Sequence, residues 1–191
     1  MLKRFTVFLV SAFWAISALA QQPQLDMSPP AQLERGVYKL LAFMSQPQRP
    51  QSAQIADYLD NNVAHFFNFD EMARLAGGAY YYQITPLQRG EMAEEIKRWF
   101  LTELTLKLTS YRGQGVKFMR PRYNREGDEA IVSMYILQPG NYYPPRIDFR
   151  LQKFRQGWAV SDVAASGQSA VMHYRKSLGN ELAYRQYRAY R

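Results

Sequence analysis

The chain has 191 residues, 47% of them apolar and 21% charged, which supports one packed domain and excludes wholesale disorder. It carries a formal net charge of +8 and no cysteine, and its only histidines are His65 and His173. A disulfide scaffold, a thiol nucleophile, a cysteine-based zinc site and a histidine-rich metal centre are therefore all excluded.

Residues 1–20 read as a cleaved signal peptide. Lys3 and Arg4 precede the apolar run Phe5–Ser17, and Ala18-Leu19-Ala20 forms a small-residue cleavage site before Gln21. A membrane span needs ~20 apolar residues, and polar sequence begins at Gln21. The expected mature chain, 21–191, has 22 basic and 16 acidic residues, a net charge of +6. An exported chain without cysteine is expected in the bacterial periplasm, as a soluble monomer of one domain.

Residues 21–32 are polar and proline-rich. Ser28 and Pro29 then signal a helix start, with Leu33, Val37, Leu40, Leu41 and Met44 at helical spacing. Ser52 is the expected cap of a second helix bearing Ile55, Leu59, Val63, Phe66 and Phe67. A third begins at Asp70, carries Met72 and Leu75, and closes at Gly77-Gly78. Thr85-Pro86-Leu87-Gln88 is a capping box opening a long helix to about Ser110, whose apolar face holds Met92, Ile96, Phe100, Leu104 and Leu108.

After Gly113 and Gly115 the period changes to two. Val116 and Phe118 alternate with polar neighbours, and 129–137 is a strand apolar on both parities, expected to be covered on both faces. The turn 138–145 holds Tyr142 and Tyr143. In 146–154, Ile147, Phe149 and Leu151 alternate with Arg146, Asp148 and Arg150. In the next strand, alternation puts Trp158, Val160 and Asp162 on one side and Ala159, Ser161 and Val163 on the other. A final helix from about Gln168 bears Val171, Tyr174 and Leu178. The expected fold is α+β: a twisted, four-stranded antiparallel meander with helices on one face.

The sequence holds little chemistry. There is no phosphate loop, dinucleotide fingerprint or metal-ligand spacing. Ser169 and His173 share a helix face and Asp162 precedes them, but no nucleophile elbow or oxyanion hole accompanies them. Capping by Ser169 is the simpler reading. Arg112, Lys117, Arg120, Arg122 and Arg125 interleave with Phe118 and Tyr123, which reads as a solvated strand face rather than a nucleic-acid surface. Tyr184, Tyr187 and Tyr190 alternate with Arg185, Arg188 and Arg191, a face suited to an anionic membrane surface or a frayed end.

Two stretches carry a resemblance. Phe67–Arg89 is similar to the helix-turn-helix signature of the MlaC family, the toluene-tolerance auxiliary proteins. Trp158–Leu178 matches that family's pattern at Trp158, Val160, Asp162, Val163, Gly167, Ser169, Tyr174 and Arg175. The resemblance covers about residues 30–182. It implies a sheet and helices enclosing a deep apolar pocket for a diacyl phospholipid, with no cofactor and no enzymatic step. It also implies a periplasmic shuttle between an outer-membrane lipoprotein–porin complex and an inner-membrane ABC transporter with an MCE-domain subunit, touching membranes transiently and maintaining outer-membrane lipid asymmetry.

The expected pocket residues are Met72, Leu75, Met92, Ile96, Phe100, Leu104 and Leu108 on the helices, Phe118, Val132, Met134, Ile136, Ile147, Phe149 and Leu151 on the sheet, and Val171 and Tyr174 on the last helix. Two other readings stand beside this one: an NTF2-like pocket enzyme for a small apolar substrate, and a pocketless interaction module. Polar groups converging inside the cavity would favour the enzyme.

Overall fold

The computed structural model describes residues 28–189 other than Pro139 and Asn141, and side chains as far as Gly179. The expected signal peptide lies outside the described residues.

Each helix starts where a local signal places it. Pro29 and Pro30 open α1 (Pro29–Met44), where a missing N–H costs nothing. The second helix, α2 (Ser52–Asn62), is capped one residue earlier than expected. Gln51 is its N-cap and forms a reciprocal capping box with Gln54, so Ser52 is the first helical residue. A 3-10 turn, Ala64–Phe66, leads to Asn68, whose side-chain oxygen accepts from the Glu71 amide at 2.9 Å and caps α3 (Phe69–Gly77). The Thr85–Gln88 box opens α4 (Pro86–Leu108) as expected. Beyond its last turn, Arg49 and Arg112 both donate to the carbonyls of Thr109 and Tyr111, cations placed where helical carbonyls lack partners.

The sheet has six antiparallel strands rather than the expected four. These are β1 (Gly115–Phe118), β2 (Arg122–Tyr123), β3 (Glu129–Leu137), β4 (Arg146–Phe154), β5 (Gly157–Ala165) and β6 (Gln168–Ser169). Their order is β1-β3-β4-β5-β6, with β2 also pairing β3. The additional strands, β2 and β6, are two residues long, too short to show alternation. Pro121, which has no N–H to donate, stands between β1 and β2 on the sheet's edge.

Two features of the sheet depart from the sequence reading. A bulge in the β4–β5 pairing sets Arg150 opposite Asp162 but Leu151 opposite Val160, so Ser161 is the extra residue. Val163 thereby joins Val160, Leu151 and Phe149 on one face, where simple alternation separates it from Val160. Secondly, β3 is covered more deeply on one face than on the other, where Ser133 is buried but its neighbours are not. Ala130, Val132 and Met134 are buried, while Ile131 and Tyr135 are half-buried. Ser133, on that second face, is satisfied by Asp148, whose carboxylate accepts the Ser133 hydroxyl at 2.6 Å and the Arg146 guanidinium at 2.7 Å.

The helices meet the sheet unevenly. The close backbone approaches are α3 and α5 (Ala170–Ala189) against β5. The link before α3 is pinned there too: Phe67 bridges to Val160, and the Asn68 amide donates to the Val160 carbonyl at 2.9 Å. By contrast α1 reaches the sheet through side chains, chiefly Leu33 and Val37, and α4 packs on α2 and α3. The layers are clamped at β5 and meet less closely towards β1 and β3, where Leu33 and Val37 of α1 pack on the sheet cluster. Tyr184–Arg191 lie beyond the described side chains.

Candidate functional site

The apolar interior is divided into three clusters. One is helical: Met72 of α3, Met92, Ile96 and Phe100 of α4, and Val171 and Tyr174 of α5, with Leu75 and Leu104 against it. A second lies on the sheet: Val132, Met134, Phe149, Leu151 and Val160 under Leu33 of α1, flanked by Phe118 and Ile147. The third joins α1 to α2 through Leu40, Met44, Ile55 and Leu59, and Leu104 and Leu108 of α4 lean on it. Of the sixteen expected pocket residues, fifteen fall in these clusters; Ile136, opposite Val116, is half-buried outside them. The single wall expected from sequence is thus shared among three groups.

One residue touches all three. Phe67 packs on the helical cluster, the sheet cluster and the α1–α2 cluster, and its ring lies 4.6 Å from that of Phe100 and 5.8 Å from that of Phe69. The sequence reading put Phe67 on the second helix. Here it is an extended residue just before the Asn68 cap, with Met72 four residues beyond that cap. An apolar residue on each side of a cap in this spacing is the hydrophobic-staple pattern, and that signal was available in the sequence.

Register explains why the sheet side is apolar. Val132 lies opposite Phe149, Met134 opposite Ile147 and Ala130 opposite Leu151, so one face of β3 and β4 is continuous. The bulge extends it by returning Val163, which packs against both the sheet cluster and the helical one.

Two clefts among the described residues open at the edge of these clusters, and Phe67, Phe69 and Ala93 line the first of them. One, of about 570 Å³, runs between Asp60, His65, Phe69, Lys97 and the β4–β5 turn at Gln156–Trp158. The other, of about 350 Å³, adjoins it along Asp70, Glu71, Arg74 and Arg155. The first mixes apolar side chains with charged and amide ones, the second is mostly charged or amide, and neither is lined by an expected pocket residue. Lys97 is anchored there by Asp60 at 2.8 Å, and that hydrogen bond raises the ammonium pKa.

The polar groups that invited a catalytic reading have structural partners. Asp162 accepts the Ser169 hydroxyl at 2.7 Å and the Val171 amide at 3.2 Å. The Ser169 oxygen in turn accepts the Met172 amide at 3.1 Å. Together they satisfy the first amides of α5, a task that falls to an N-cap. His173 points instead towards Glu103, at 3.6 Å. Glu103 also accepts the Tyr174 hydroxyl at 3.4 Å. Burial, and then the neighbouring Glu103 carboxylate, push the Tyr174 phenol well above its ordinary value. No cluster of three or more carboxylate or imidazole groups suited to a metal ion occurs among the described residues.

Comparison with known proteins agrees with this architecture. The family profile described as MlaC protein matches residues 34–189. Among solved structures, the phospholipid-binding protein from Ralstonia solanacearum, in complex with a phospholipid, superposes with a TM-score of 0.72. The two are 20% identical, and the match covers 83% of this chain and 89% of that one. No curated protein matches.

Proposed function

The chain belongs to the MlaC family, and from that premise we propose that it binds one diacyl phospholipid in its interior and shuttles it through the bacterial envelope. The observation that carries this reading is the seam through Phe67. There an apolar sheet face meets two helical clusters, pinned by backbone only at Val160 and packed elsewhere by side chains, in the fold that in the Ralstonia solanacearum protein holds a phospholipid.

The task is physical. A two-tailed lipid buries about 30 methylenes in its bilayer, and exposing them all costs roughly 24 kcal/mol. A groove covering half the tails still leaves ~12 kcal/mol, so the protein has to enclose most of both chains. Acyl tails part the clusters along the seam, with Val132, Met134 and Phe149 on one side and Phe100, Leu104 and Leu108 on the other. Met72, Met92 and Met134 adapt to tails of different length because an unbranched thioether side chain repacks readily. The phosphate stays near water beside basic side chains.

On this reading residues 1–20 direct export, the mature chain works in the periplasm, and the donor and acceptor are the outer-membrane lipoprotein–porin complex and the MCE-type ABC transporter. Binding does the work: Asp162 and Ser169 are committed to capping α5, and no reaction step is needed.

The test is native mass spectrometry of protein purified without added lipid, followed by extraction and lipid analysis. We expect a mass increment of one phospholipid and a mixed tail population. Protein that carries no stoichiometric phospholipid overturns the proposal.

A further inference from the structure

The chain's positive charge is not spread evenly. Between Glu103 and Glu126 there is no carboxylate, yet Lys107, Arg112, Lys117, Arg120, Arg122 and Arg125 fall in that stretch. These six basic residues equal the whole +6 of the expected mature chain, so the remainder balances to zero. All six are exposed, and none of the ion pairs among the described residues involves them.

The same region collects exposed apolar side chains. Leu106, Met119, Tyr123, Leu137, Tyr142 and Tyr143 all stand out from it, and at the tip of the β3–β4 turn Tyr142 is 94% exposed and Tyr143 90%. Pairing sets Lys117, Arg122 and Leu137 on one face of the edge and turns Tyr123, opposite the buried Ala130, to the other face beside Trp158. Gly115 lies opposite Leu137, and Lys117 opposite Tyr135. Arg122 and Tyr123 lie opposite Ile131 and Ala130, and the Ile136 amide donates to the Pro145 carbonyl at the base of the turn. With ~3.3 Å per strand residue, the strip along β1 and β2 is about 25 Å long.

A charged edge strand with a proline is an ordinary defence against edge-to-edge pairing, and Lys117, Arg120, Pro121 and Arg122 meet that need. That defence does not call for two tyrosines so exposed to solvent on a turn or for exposed Leu106, Met119 and Leu137. Cations beside amphipathic rings are what a headgroup layer attracts: arginine and lysine meet phosphates, and tyrosine rings sit at the boundary between polar and acyl layers.

We propose that this strip, from the end of α4 along β1 and β2 to the Tyr142–Tyr143 turn, is a docking surface for the anionic face of a bilayer. The inference deepens the lipid-shuttle reading and rests on it. The strip borders the β1–β3 side, where helices approach the sheet less closely than at β5, so docking there presents the looser edge of the interior to the membrane. The attraction is electrostatic first and interfacial second. It brings the protein to an anionic leaflet and lets it leave.

The experiment is co-sedimentation of full mature protein with vesicles of phosphatidylglycerol and phosphatidylcholine, against vesicles of phosphatidylcholine alone. Screening weakens with falling ionic strength, so binding is measured at low and at high salt. We expect binding to the anionic vesicles only, falling at least tenfold at high salt. The triple variant Lys117→Glu, Arg120→Glu, Arg122→Glu should lose at least tenfold of the low-salt binding. A matched triple reversal elsewhere, Lys153→Glu, Arg155→Glu, Lys176→Glu, changes net charge equally and should retain clearly more. Tyr142→Ser with Tyr143→Ser should remove binding that persists at high salt. The co-purified lipid should stay unchanged in every variant, which separates failure of docking from failure of lipid binding. If wild-type protein ignores anionic vesicles, or both triple variants lose binding equally, the membrane-docking proposal is overturned; in the first case an acidic protein partner becomes the better occupant.

Discussion

Tyr174 shows how one side chain serves three elements. Its ring is fully buried between α3, α4 and α5, lies 5.8 Å from Trp99, and its hydroxyl reaches Glu103 at 3.4 Å. Burial raises its pKa above the ordinary phenol value of about 10, so the folded chain resists losing that proton while the unfolded chain does not. The stability this contributes is complete below about pH 10 and is lost as pH rises further. Tyr174→Phe should therefore cost at most about 1 kcal/mol at pH 7, since only a long hydrogen bond disappears. Above pH 10 the variant should lose stability less steeply than wild type, by up to ~1.4 kcal/mol per pH unit. Urea denaturation at pH 7, 9, 10 and 11 reads this out, and parallel pH profiles would contradict the assignment.

At the scale of elements, glycines separate backbone need from mere space. Gly78 ends α3 with φ 53° and ψ −129°, a conformation open to glycine and strained for other residues. A methyl group there would lie 3.7 Å from Arg175, an ordinary contact, so crowding adds nothing. Gly78→Ala should cost about 1–3 kcal/mol through backbone strain. Gly90 sits inside α4 with nothing near its missing side chain. Gly90→Ala should stabilise by about 0.5–1 kcal/mol through helix propensity and a less flexible unfolded chain. Chemical denaturation of the two variants checks both signs. Opposite glycines in one chain make the comparison internal. The helix starts of these elements were legible in sequence, because Thr85–Gln88 and Pro29 act locally. The cap of α2 was not, because Gln51 and Ser52 are both able to cap and the reciprocal bond to Gln54 decides between them.

For the whole molecule the question is whether the apolar interior opens. Val132 is buried on β3 opposite Phe149, in the sheet cluster that faces Phe67 and α1. Val132→Trp adds an indole at the seam. Overpacking a closed core costs ~1–3 kcal/mol, which in a domain of this size lowers Tm by roughly 2–12 °C. If tails part the clusters there, the ring occupies their path. The variant should then fold with a depressed Tm and carry at least tenfold less phospholipid than wild type in native mass spectrometry. A folded variant with full lipid content would place the tails elsewhere in the interior. The clamped β5 side and the looser β1–β3 side give the molecule a polarity consistent with entry from one edge.

What the sequence determined by itself was local or pairwise along the chain. The starts of α1 and α4 followed from prolines and a capping box, the faces of β3 and β4 from alternation, and family membership from a motif running from Trp158 to Arg175. Fifteen of the sixteen expected pocket residues entered apolar clusters because periodicity reports which side of an element shuns water. Tertiary structure decided what those sides meet. A single extra residue, Ser161, moved Val163 across the sheet, and nothing in composition announces a bulge. Asp162 and Ser169 became a cap for α5 once a turn brought strand and helix start together. Phe67 became the junction of three clusters because its backbone is pinned to Val160, more than ninety residues away. Periodicity is a property of one segment, whereas register and partnership arise from contacts between segments distant in the chain. The layout of the interior, and the basic strip beside it, therefore belong to the folded molecule.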